Sequence, residues 1–361
     1  MKKILVSGVS ALIFIASFLT SCDLTGSNIN KPTDPSVNGN PNIIVAPTTI
    51  NSNVIWDSSK TYYIKNSVTI DTNGTLTIPE GTVVKFGSSM GLKLKGTLNA
   101  QGAFFTSYRN NEIGETIASG IPSPNDWGGI SVSTGQAVFN NCTFSYAGGS
   151  SSSPKPALKA GASGNVVVEN CTFSYNGGKD AVGGTAALEI ESPYNEETNH
   201  VKNCTFTNNL WPLSVSAEYT LDASNTFNEN KYQGIIIDDS NVESSSVWPH
   251  QSIPYFIKTT LVIKSTLTIG AGTESEPTEI KVNASKYIYF STGGTLNTGN
   301  YTNYSAWDNA WSGIYNSRET WTDGKTHKVY YTSNSDINIS ITGASYEASY
   351  TLPISSSVSY E

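Results

Sequence analysis

Short segments in which apolar and polar residues alternate recur along the chain. Two examples are Gly74-Thr-Leu-Thr-Ile78 and Gly91-Leu-Lys-Leu-Lys-Gly-Thr-Leu98. In an extended segment every second side chain points to the same face, so Leu92 and Leu94 lie opposite Lys93. Runs of four to six residues that glycine, proline or asparagine interrupts are typical of strands. The pattern predicts an all-β chain whose strands have one buried face and one solvated face.

One tetrapeptide recurs through the middle of the chain. Asn141-Cys-Thr-Phe144 returns as Asn170-Cys-Thr-Phe173 and Asn203-Cys-Thr-Phe206, with a diverged copy at Ser224-Asn-Thr-Phe227. The copies begin 29, 33 and 21 residues apart. Self-similarity at such a period is the signature of stacked structural units. We therefore predict a solenoid of β-coils.

A second repeat has a much longer period. Four segments from the first 130 residues return after residue 247 at offsets of 184 to 198 residues. The pairs are Tyr62–Lys65 with Tyr255–Lys258, Thr75–Ile78 with Thr266–Ile269, Gly96–Leu98 with Gly294–Leu296, and Trp127–Ile130 with Trp311–Ile314. Trp56 and Trp248 also correspond. The coils are thus expected to restart near residue 247, either as one stack or as a second, shorter one.

The segments with these patterns resemble a known fold. Gly74-Thr-Leu-Thr-Ile-Pro-Glu-Gly-Thr-Val-Val-Lys-Phe86, Trp127-Gly-Gly-Ile130 and the tetrapeptide coils resemble bacterial surface proteins with a pectate-lyase-like fold. The resemblance covers roughly residues 54–316. It implies a right-handed parallel β-helix, which we expect over residues 51–320. Residues 321–361 are expected to form a β cap over the last coil, because an open solenoid end exposes unpaired strand edges.

The N-terminus has the features of a targeting segment. Lys2 and Lys3 precede an apolar run over residues 4–19 that is short for a membrane-spanning helix. Leu19-Thr-Ser-Cys22 follows, and this sequence resembles the lipobox of bacterial lipoproteins. The resemblance implies cleavage after residue 21, acylation of Cys22 and a location at the cell envelope, with the outer membrane or cell surface favoured over the inner membrane. Residues 22–50, rich in proline and small polar residues, are then a flexible tether.

The other three cysteines are those of the tetrapeptides, Cys142, Cys171 and Cys204. We expect them to form a buried ladder of unpaired thiols, because in-register parallel strands keep their Cβ atoms farther apart than a disulfide prefers. Cys171 and Phe173 should point inward, with a bend at Asn170. The asparagines that begin each tetrapeptide are predicted to form an amide ladder.

Composition excludes one class of partner. The net charge is −8 and only 14% of residues are charged, whereas nucleic-acid binding calls for a basic patch or stripe. Residues 107–126 and 150–164 have the weakest strand pattern and are predicted to be loops. Insertions in solenoids often gather on one face, which is often the binding face.

The sequence lacks a complete catalytic set of the enzymes that share this kind of fold. The polysaccharide hydrolases carry an Asp-Asp pair among other motifs, and here Asp238-Asp239 matches that pair alone. These two carboxylates are weak candidates for a calcium site, and no other cofactor is expected. Glu189 and Glu191 share a strand face, which we interpret as solvated. Lys85, Lys93 and Lys95 are interpreted as a solubilising outer face.

Aromatic residues crowd together near the C-terminal end. Aromatic rings stack on sugars, and exposed clusters often mark binding surfaces. The candidates for ligand contact are Tyr301, Tyr304, Trp307, Tyr315 and Trp321.

These observations favour a non-catalytic, lipid-anchored surface protein that binds carbohydrate or another cell-surface ligand. A divergent polysaccharide lyase or glycoside hydrolase and a structural envelope component remain alternatives, because fold alone does not select a function.

Overall fold

The computed structural model describes residues 39–150, 152–178, 180–283, 286–290, 294–298 and 301–306, with six short strands between residues 313 and 351. This part of the chain is all-β. Within it, no helix is long and apolar enough to cross a membrane.

Three parallel sheets run along the first two thirds of the chain. Sheet 1 contains β1 (Ile43–Val45), β4 (Thr61–Ile64), β7 (Val83–Phe86), β10 (Phe104–Ser107), β13 (Thr143–Ser145), β18 (Thr172–Ser174), β21 (Thr205–Thr207) and β23 (Thr226–Asn228). Sheet 2 contains β2 (Thr49–Ile50), β5 (Val68–Ile70), β8 (Leu92–Leu94), β11 (Ile130–Val132), β16 (Leu158–Ala160), β19 (Leu188–Ile190), β22 (Leu213–Val215), β24 (Ile235–Ile237), β27 (Tyr255–Ile257), β30 (Thr278–Val282), β33 (Thr302–Ala306) and β38 (Ala344–Tyr346). Sheet 3 contains β3 (Asn53–Ile55), β6 (Thr75–Ile78), β9 (Thr97–Gln101), β12 (Gln136–Asn140), β17 (Asn165–Glu169) and β20 (His200–Lys202).

Successive strands of the chain visit sheets 1, 2 and 3 in turn, and each pairs in parallel with the strand one coil away. This connectivity is a parallel β-helix, as the sequence predicted. About 98% of crossover connections between parallel strands are right-handed, and the arrangement is consistent with that hand.

The sheets change partners near residue 241. Sheets 1 and 3 end, sheet 2 continues, and two new parallel sheets begin. Sheet 4 contains β25 (Asn241–Val242), β28 (Leu261–Ile263), β31 (Tyr287–Phe290) and β34 (Gly313–Asn316). Sheet 5 contains β26 (Ser246–Trp248), β29 (Thr266–Ile269), β32 (Thr295–Thr298) and β37 (Asn338–Ile341).

At this junction the second copy of the long-period repeat begins, and its strands lie in different sheets from their counterparts in the first copy. Strand β4 lies in sheet 1, but β27, its sequence counterpart, pairs with β24 in sheet 2. The local packing is nevertheless the same. Trp56 stacks on Tyr62 with ring centroids 4.0 Å apart, and Trp248 stacks on Tyr255 at 5.1 Å. The repeated unit therefore keeps the stacking of its tryptophan on its tyrosine, although its strand pairs within a different sheet.

Two small elements lie outside these five sheets. A hairpin joins β14 (Gly149–Ser150) to β15 (Ser153–Pro154), and β35 (Thr322–Asp323), β36 (His327–Lys328) and β39 (Tyr350–Thr351) form a three-stranded sheet. In the predicted cap region, β37 and β38 extend sheets 5 and 2. Whether residues 321–361 act as a cap stays a prediction.

Identical residues stack inside the coils. Phe144 packs on Phe173 with ring centroids 4.6 Å apart, and Phe173 packs on Phe206 at 5.0 Å. Beside them, the three tetrapeptide cysteines are buried and unpaired, as predicted. Burial raises the pKa of the Cys171 thiol, so this sulfur stays protonated. All three side chains are part of the buried core.

The buried amide ladder does not involve the predicted asparagines. Asn141, Asn170 and Asn203 are exposed at corners, in the left-handed conformation with φ of 55°, 55° and 53°. Asn170 Nδ2 donates to Asn140 Oδ1 on the preceding coil at 3.2 Å, but this contact is exposed at the surface. The amide ladder consists instead of three buried asparagines that follow the ends of sheet 1 strands, and they are Asn176, Asn209 and Asn230.

Asn209 is the central member of this amide ladder. Its Nδ2 donates to Phe173 O at 2.9 Å and to Asn230 Oδ1 at 3.0 Å. Its Oδ1 accepts from Asn176 backbone N at 3.0 Å and Asn176 Nδ2 at 3.1 Å. One side chain thus binds both neighbouring coils, and its removal leaves several buried polar groups without partners.

Asn209→Ala is expected to lower the free energy of unfolding by about 3 kcal/mol, because each buried polar group left unpaired costs about 1–3 kcal/mol. Urea denaturation followed by circular dichroism measures the change. Asn99→Ala is the matched control, since Asn99 is exposed in β9 and surface changes usually stay within about 0.5 kcal/mol. Equal losses in the two variants would contradict the role of the amide ladder.

Candidate functional site

The outer face of sheet 2 carries a line of polar side chains in strict register. From β5 to β22 the paired outward residues are Thr69, Lys93, Ser131, Lys159, Glu189 and Ser214. Strands in a sheet lie about 4.8 Å apart, so the five steps extend over about 24 Å. One lateral stripe therefore presents two lysines and a glutamate at fixed spacing.

A groove with a volume of about 580 Å³ lies over the first half of this stripe, and we call it the lysine groove. Four lysine side chains line it together with small polar residues. The lysines are Lys93, Lys95, Lys155 and Lys159, and the small residues include Ser67, Thr69, Ser89, Ser131 and Ser133.

Glycine keeps the floor of the lysine groove low where the chain enters β11. Gly129 has φ +79°, and a Cβ there would lie 2.0 Å from Pro156 O on the next coil. A side chain at this position would therefore both strain the backbone and push the coils apart. The coil of β11 and the coil that carries Lys159 can approach this closely only because this position has no side chain.

The positive charge in the lysine groove is only partly neutralised. Within the described residues, neither Lys93 nor Lys155 makes a side-chain ion pair or hydrogen bond, and both are exposed. Lys95 lies 3.8 Å from Asp71, an exposed pair of little strength. Lys159 instead pairs with carboxylates at the far end of the groove. The open part of the groove is consequently electropositive.

A second groove of about 230 Å³ follows on the same face, and we call it the acidic groove. It is lined by Glu189, Glu191, Asp238 and Asp239, with Ser214 and Ser216 between them. Asp238 pairs with Lys258 at 2.8 Å. Asp239 accepts bonds from the backbone N of Ser240 and Asn241.

The Asp238-Asp239 motif therefore lies in a groove, but Asp238 is already paired with Lys258 and Asp239 Oδ1 already accepts two backbone hydrogen bonds. Within the described residues, no group of three or more His, Cys, Asp or Glu side chains is arranged to hold a metal ion. Calcium binding at this pair stays a prediction.

Lys159 and Glu189 lie where the two grooves meet. Lys159 Nζ is 3.7 Å from Glu189 Oε2 and 2.6 Å from Glu191 Oε1. The interpretation of this strand face as solvated holds for Glu191 but was wrong for Glu189, whose side chain is only 20% exposed. Burial raises the pKa of Glu189, and the Lys159 ammonium opposes that rise. A carboxyl group with a raised pKa beside a lysine in a cleft is a candidate acid or base.

The polar stripe ends at a second hydrophobic cluster on the outside of sheet 2. Ile236 and Phe256 continue the register beyond Ser214, but both are fully buried. They pack with Ala186 and Trp211, and the Trp211 ring stacks on Phe256 at 5.3 Å. The polar stripe on sheet 2 is thus interrupted at β24 and β27.

The loop between β10 and β11 covers the outer side of sheet 1. Lys85 lies beneath it and is fully buried, so its predicted place on a solubilising outer face was wrong. Its Nζ donates to Asn110 O and Glu115 O, each at 2.6 Å. Arg109 fixes the base of the loop by donating to the buried Asp126 at 2.9 Å. Lys93 and Lys95 are exposed, as expected.

The aromatic candidates near the C-terminal end are only partly described. Tyr301 is exposed and directly precedes β33. Tyr304 lies in β33, in register with Ile280, and Tyr315 lies in β34, in register with Tyr289. Trp307 and Trp321 lie outside the described residues. Ligand contact by this set stays a prediction.

Sequence reasoning missed both grooves as units. Lys155 follows a hairpin and Lys159 lies in β16, inside a segment that was predicted to be a loop. The signal that could have found them is the alternation Leu158-Lys-Ala160, which has the same form as Leu92-Lys-Leu94. Aligning those two segments would have placed Lys159 two strands from Lys93.

Comparisons with known proteins agree with this architecture. Residues 48–166 match the family model of the pectate-lyase-like beta helix domain. The match includes β5, β8, β11 and β16, the strands beneath the lysine groove, and it fits a carbohydrate-related role. Searches of curated proteins and of solved structures each returned no significant match.

The buried lysine under the loop predicts a distinct pH dependence. Burial lowers the pKa of Lys85 from 10.5 to about 8 in the folded chain, while the neighbouring Glu115 acts in the opposite direction. Between these two values the unfolded chain binds more protons, so the contribution of Lys85 to the free energy of unfolding increases with pH.

The wild-type chain should therefore gain stability relative to Lys85→Met as pH rises from about 8 to 10.5. Urea denaturation of both proteins at several pH values measures the difference. Below pH 8 the difference should be constant, and a constant difference over the whole range would contradict a buried charged lysine.

Proposed function

We propose that this protein is a non-catalytic surface protein that binds an acidic polysaccharide across the outer face of sheet 2. The observation that carries the proposal is the lysine groove, in which Lys93 and Lys155 are exposed and have no ion-pair partner among the described residues. The family match to a pectate-lyase-like beta helix domain supports carbohydrate as the ligand class.

The chemistry of the lysine groove favours repeated carboxylate or sulfate groups. Lysine is a flexible, strongly hydrated point charge that binds anions without a fixed geometry. Serine and threonine hydroxyls both donate and accept hydrogen bonds, so they can pair with sugar hydroxyls between the charges. A chain of acidic sugars meets both requirements over the length of the polar stripe.

The proposal includes an attachment to the bacterial cell envelope. The lipobox-like segment supports acylation at Cys22, and more than one acyl chain gives stable anchoring where a single chain would be marginal. The predicted tether is shorter than residues 22–50, because β1 (Ile43–Val45) and β2 (Thr49–Ile50) already pair within sheets 1 and 2. The segment before them would then hold the β-helix away from the membrane. The outer membrane or cell surface is the proposed location, where the groove would meet extracellular or wall polysaccharide.

A second candidate function is polysaccharide cleavage. The observation that favours it is Lys159 beside Glu189, on adjacent strands within the grooves and 3.7 Å apart. Removing a proton next to a sugar carboxylate needs a base, and bond cleavage needs an acid. A lysine and a partly buried glutamate could share those tasks, so turnover is measured together with binding.

The double substitution Lys93→Gln/Lys155→Gln should weaken binding to oligogalacturonate at least about tenfold, since each charge pair at 4 Å contributes about 1 kcal/mol in water. Calorimetric titration of the full chain in detergent measures the affinity. The affinity of the wild type should also fall as salt concentration rises. Lys264→Gln is the matched control, because Lys264 is an exposed lysine elsewhere on the coils.

Unchanged affinity in the double variant would contradict the lysine groove as the binding site. Reducing or unsaturated ends are assayed in the same samples. Their release by wild type but not by Lys159→Met or Glu189→Gln would replace the non-catalytic proposal with the enzymatic one.

Cys22→Ser should abolish lipid attachment. Incorporation of a labelled fatty acid in a bacterial host, with detergent phase partitioning of the product, measures this directly. Cys142→Ser is the control, because Cys142 is a buried thiol in the coils and should leave the label intact. Continued labelling of Cys22→Ser would refute the anchor.

A further inference from the structure

The two grooves on sheet 2 share a small charged cluster, which we call the junction cluster. It consists of Lys159 in β16 together with Glu189 and Glu191, at β19. Lys159 lines the lysine groove, and both glutamates line the acidic groove. When all three groups are ionised, two carboxylates face one ammonium group and the cluster has one excess negative charge. That charge lies at the edge of the surface proposed to bind anions.

Contacts within the junction cluster direct the Lys159 ammonium group toward the carboxylates. Its Nζ lies 2.6 Å from Glu191 Oε1 and 3.7 Å from Glu189 Oε2. Burial opposes the charge of Lys159, but its hydrogen bonds to the two glutamates outweigh that effect and raise its pKa. Lys159 therefore stays ionised, and the glutamates balance its charge.

Glu189 is the carboxylate of the cluster that water stabilises least. Its side chain is 20% exposed, whereas that of Glu191 is 52% exposed. Its Oε1 accepts a long hydrogen bond from the backbone N of Ala186, at 3.4 Å. Burial raises the pKa of Glu189, while the Lys159 ammonium group lowers it in part. Glu189 consequently takes up a proton at a higher pH than an ordinary glutamate does.

Charged groups from the neighbouring strands also face Glu189. Among the described residues they are Lys159 on β16, Glu191 beside β19, Asp238 after β24 and Lys258 after β27. Ser214, its direct partner on β22, is uncharged. Asp238 raises the pKa of Glu189 and Lys258 lowers it, and these two groups pair with each other at 2.8 Å. Burial and Lys159 therefore dominate the proton equilibrium of Glu189.

We propose that Glu189 is a proton-operated switch for the lysine groove, which holds an acidic polysaccharide more tightly when Glu189 binds a proton. Protonation leaves one carboxylate facing Lys159, so the junction cluster becomes neutral overall and repels a bound anion less. By linkage, a bound anion must in turn favour the protonated form of Glu189. The inference rests on the proposed binding function and concerns its regulation, and it requires no bond cleavage.

The direction of the pH effect follows from the raised pKa of Glu189. Affinity should increase as pH falls through that raised value, because the proton removes a negative charge. Between about pH 7 and pH 5 carboxyl groups with ordinary pKa values stay mostly ionised. Histidines also titrate in this interval, so comparison with Glu189→Gln assigns the change to Glu189.

The test is calorimetric titration of the full chain in detergent with a sulfated dextran oligosaccharide, whose sulfate groups keep their charge over this interval. The wild type should bind at least about threefold more tightly at pH 5 than at pH 7. Glu189→Gln keeps the acceptor oxygen for Ala186 N and lacks the charge. It should bind at pH 7 at least about threefold more tightly than the wild type, with little dependence on pH.

Glu243→Gln is the matched control and should follow the wild-type pH profile. Glu243 is an exposed carboxylate that pairs with Lys264 outside both grooves. Melting temperatures at each pH show that every variant is folded when it is titrated. Proton uptake on binding gives an independent readout, measured near pH 6 in two buffers with different ionisation enthalpies. The wild type should take up protons, and Glu189→Gln should take up fewer.

Two results would overturn the switch while the lysine groove stands. One is a wild-type affinity that does not change with pH, and the other is a Glu189→Gln variant with the wild-type pH profile. Absence of binding at every pH would refute the lysine groove, and the switch with it. The pH series thus separates failure of the switch from failure of the binding site.

Discussion

Parallel hydrogen bonding in fixed register between successive coils is the constraint on which the whole structure depends. Each strand must place its residues directly over those of the strand before it, about 4.8 Å away. A one-residue slip would turn every inward side chain outward. The Phe144, Phe173 and Phe206 stack forms because this register repeats without change. The buried amides of Asn176 and Asn209 satisfy backbone groups at the corners in the same way.

The same register determines what the surface can do. Outward residues are also stacked, so a single charged or aromatic position becomes a line when neighbouring coils repeat it. Lys93 and Lys159 are two strands apart on sheet 2 and contribute to one groove. Tyr146 and Tyr175 are on adjacent coils, and their rings stack with centroids 5.6 Å apart. Ligands with a repeating structure, such as polysaccharides, fit such surfaces because their own groups recur at a comparable spacing.

Sequence reasoning succeeded where the local pattern alone decides the outcome. The inward direction of Cys171 and Phe173 follows from strand alternation, and the structure confirms it. It failed where the conformation of a corner or loop decides whether a side chain is buried. The amide ladder forms at Asn209 and not at Asn203, because the backbone conformation at each corner determines whether the asparagine side chain points inward. Lys85 has the pattern of an outward residue, yet a loop of the next coil covers it.

The candidate site was harder to foresee than the fold. A groove needs side chains from strands that are distant in sequence, and loop lengths between coils determine which residues become neighbours. The alternation at Lys159 is visible in the sequence. Its position beside Glu189 depends on the path of the 30 residues that connect them, and the alternation does not reveal that path. Strand patterns carry little information about such connections, since loops vary while the register persists.

The most direct test of the account is a crystal structure of the protein with an oligogalacturonate bound. The account predicts that the sugar chain crosses the outer face of sheet 2, with its carboxylates within hydrogen-bonding distance of the Lys93 and Lys155 ammonium groups. An oligogalacturonate bound elsewhere, with the lysine groove empty, would contradict it.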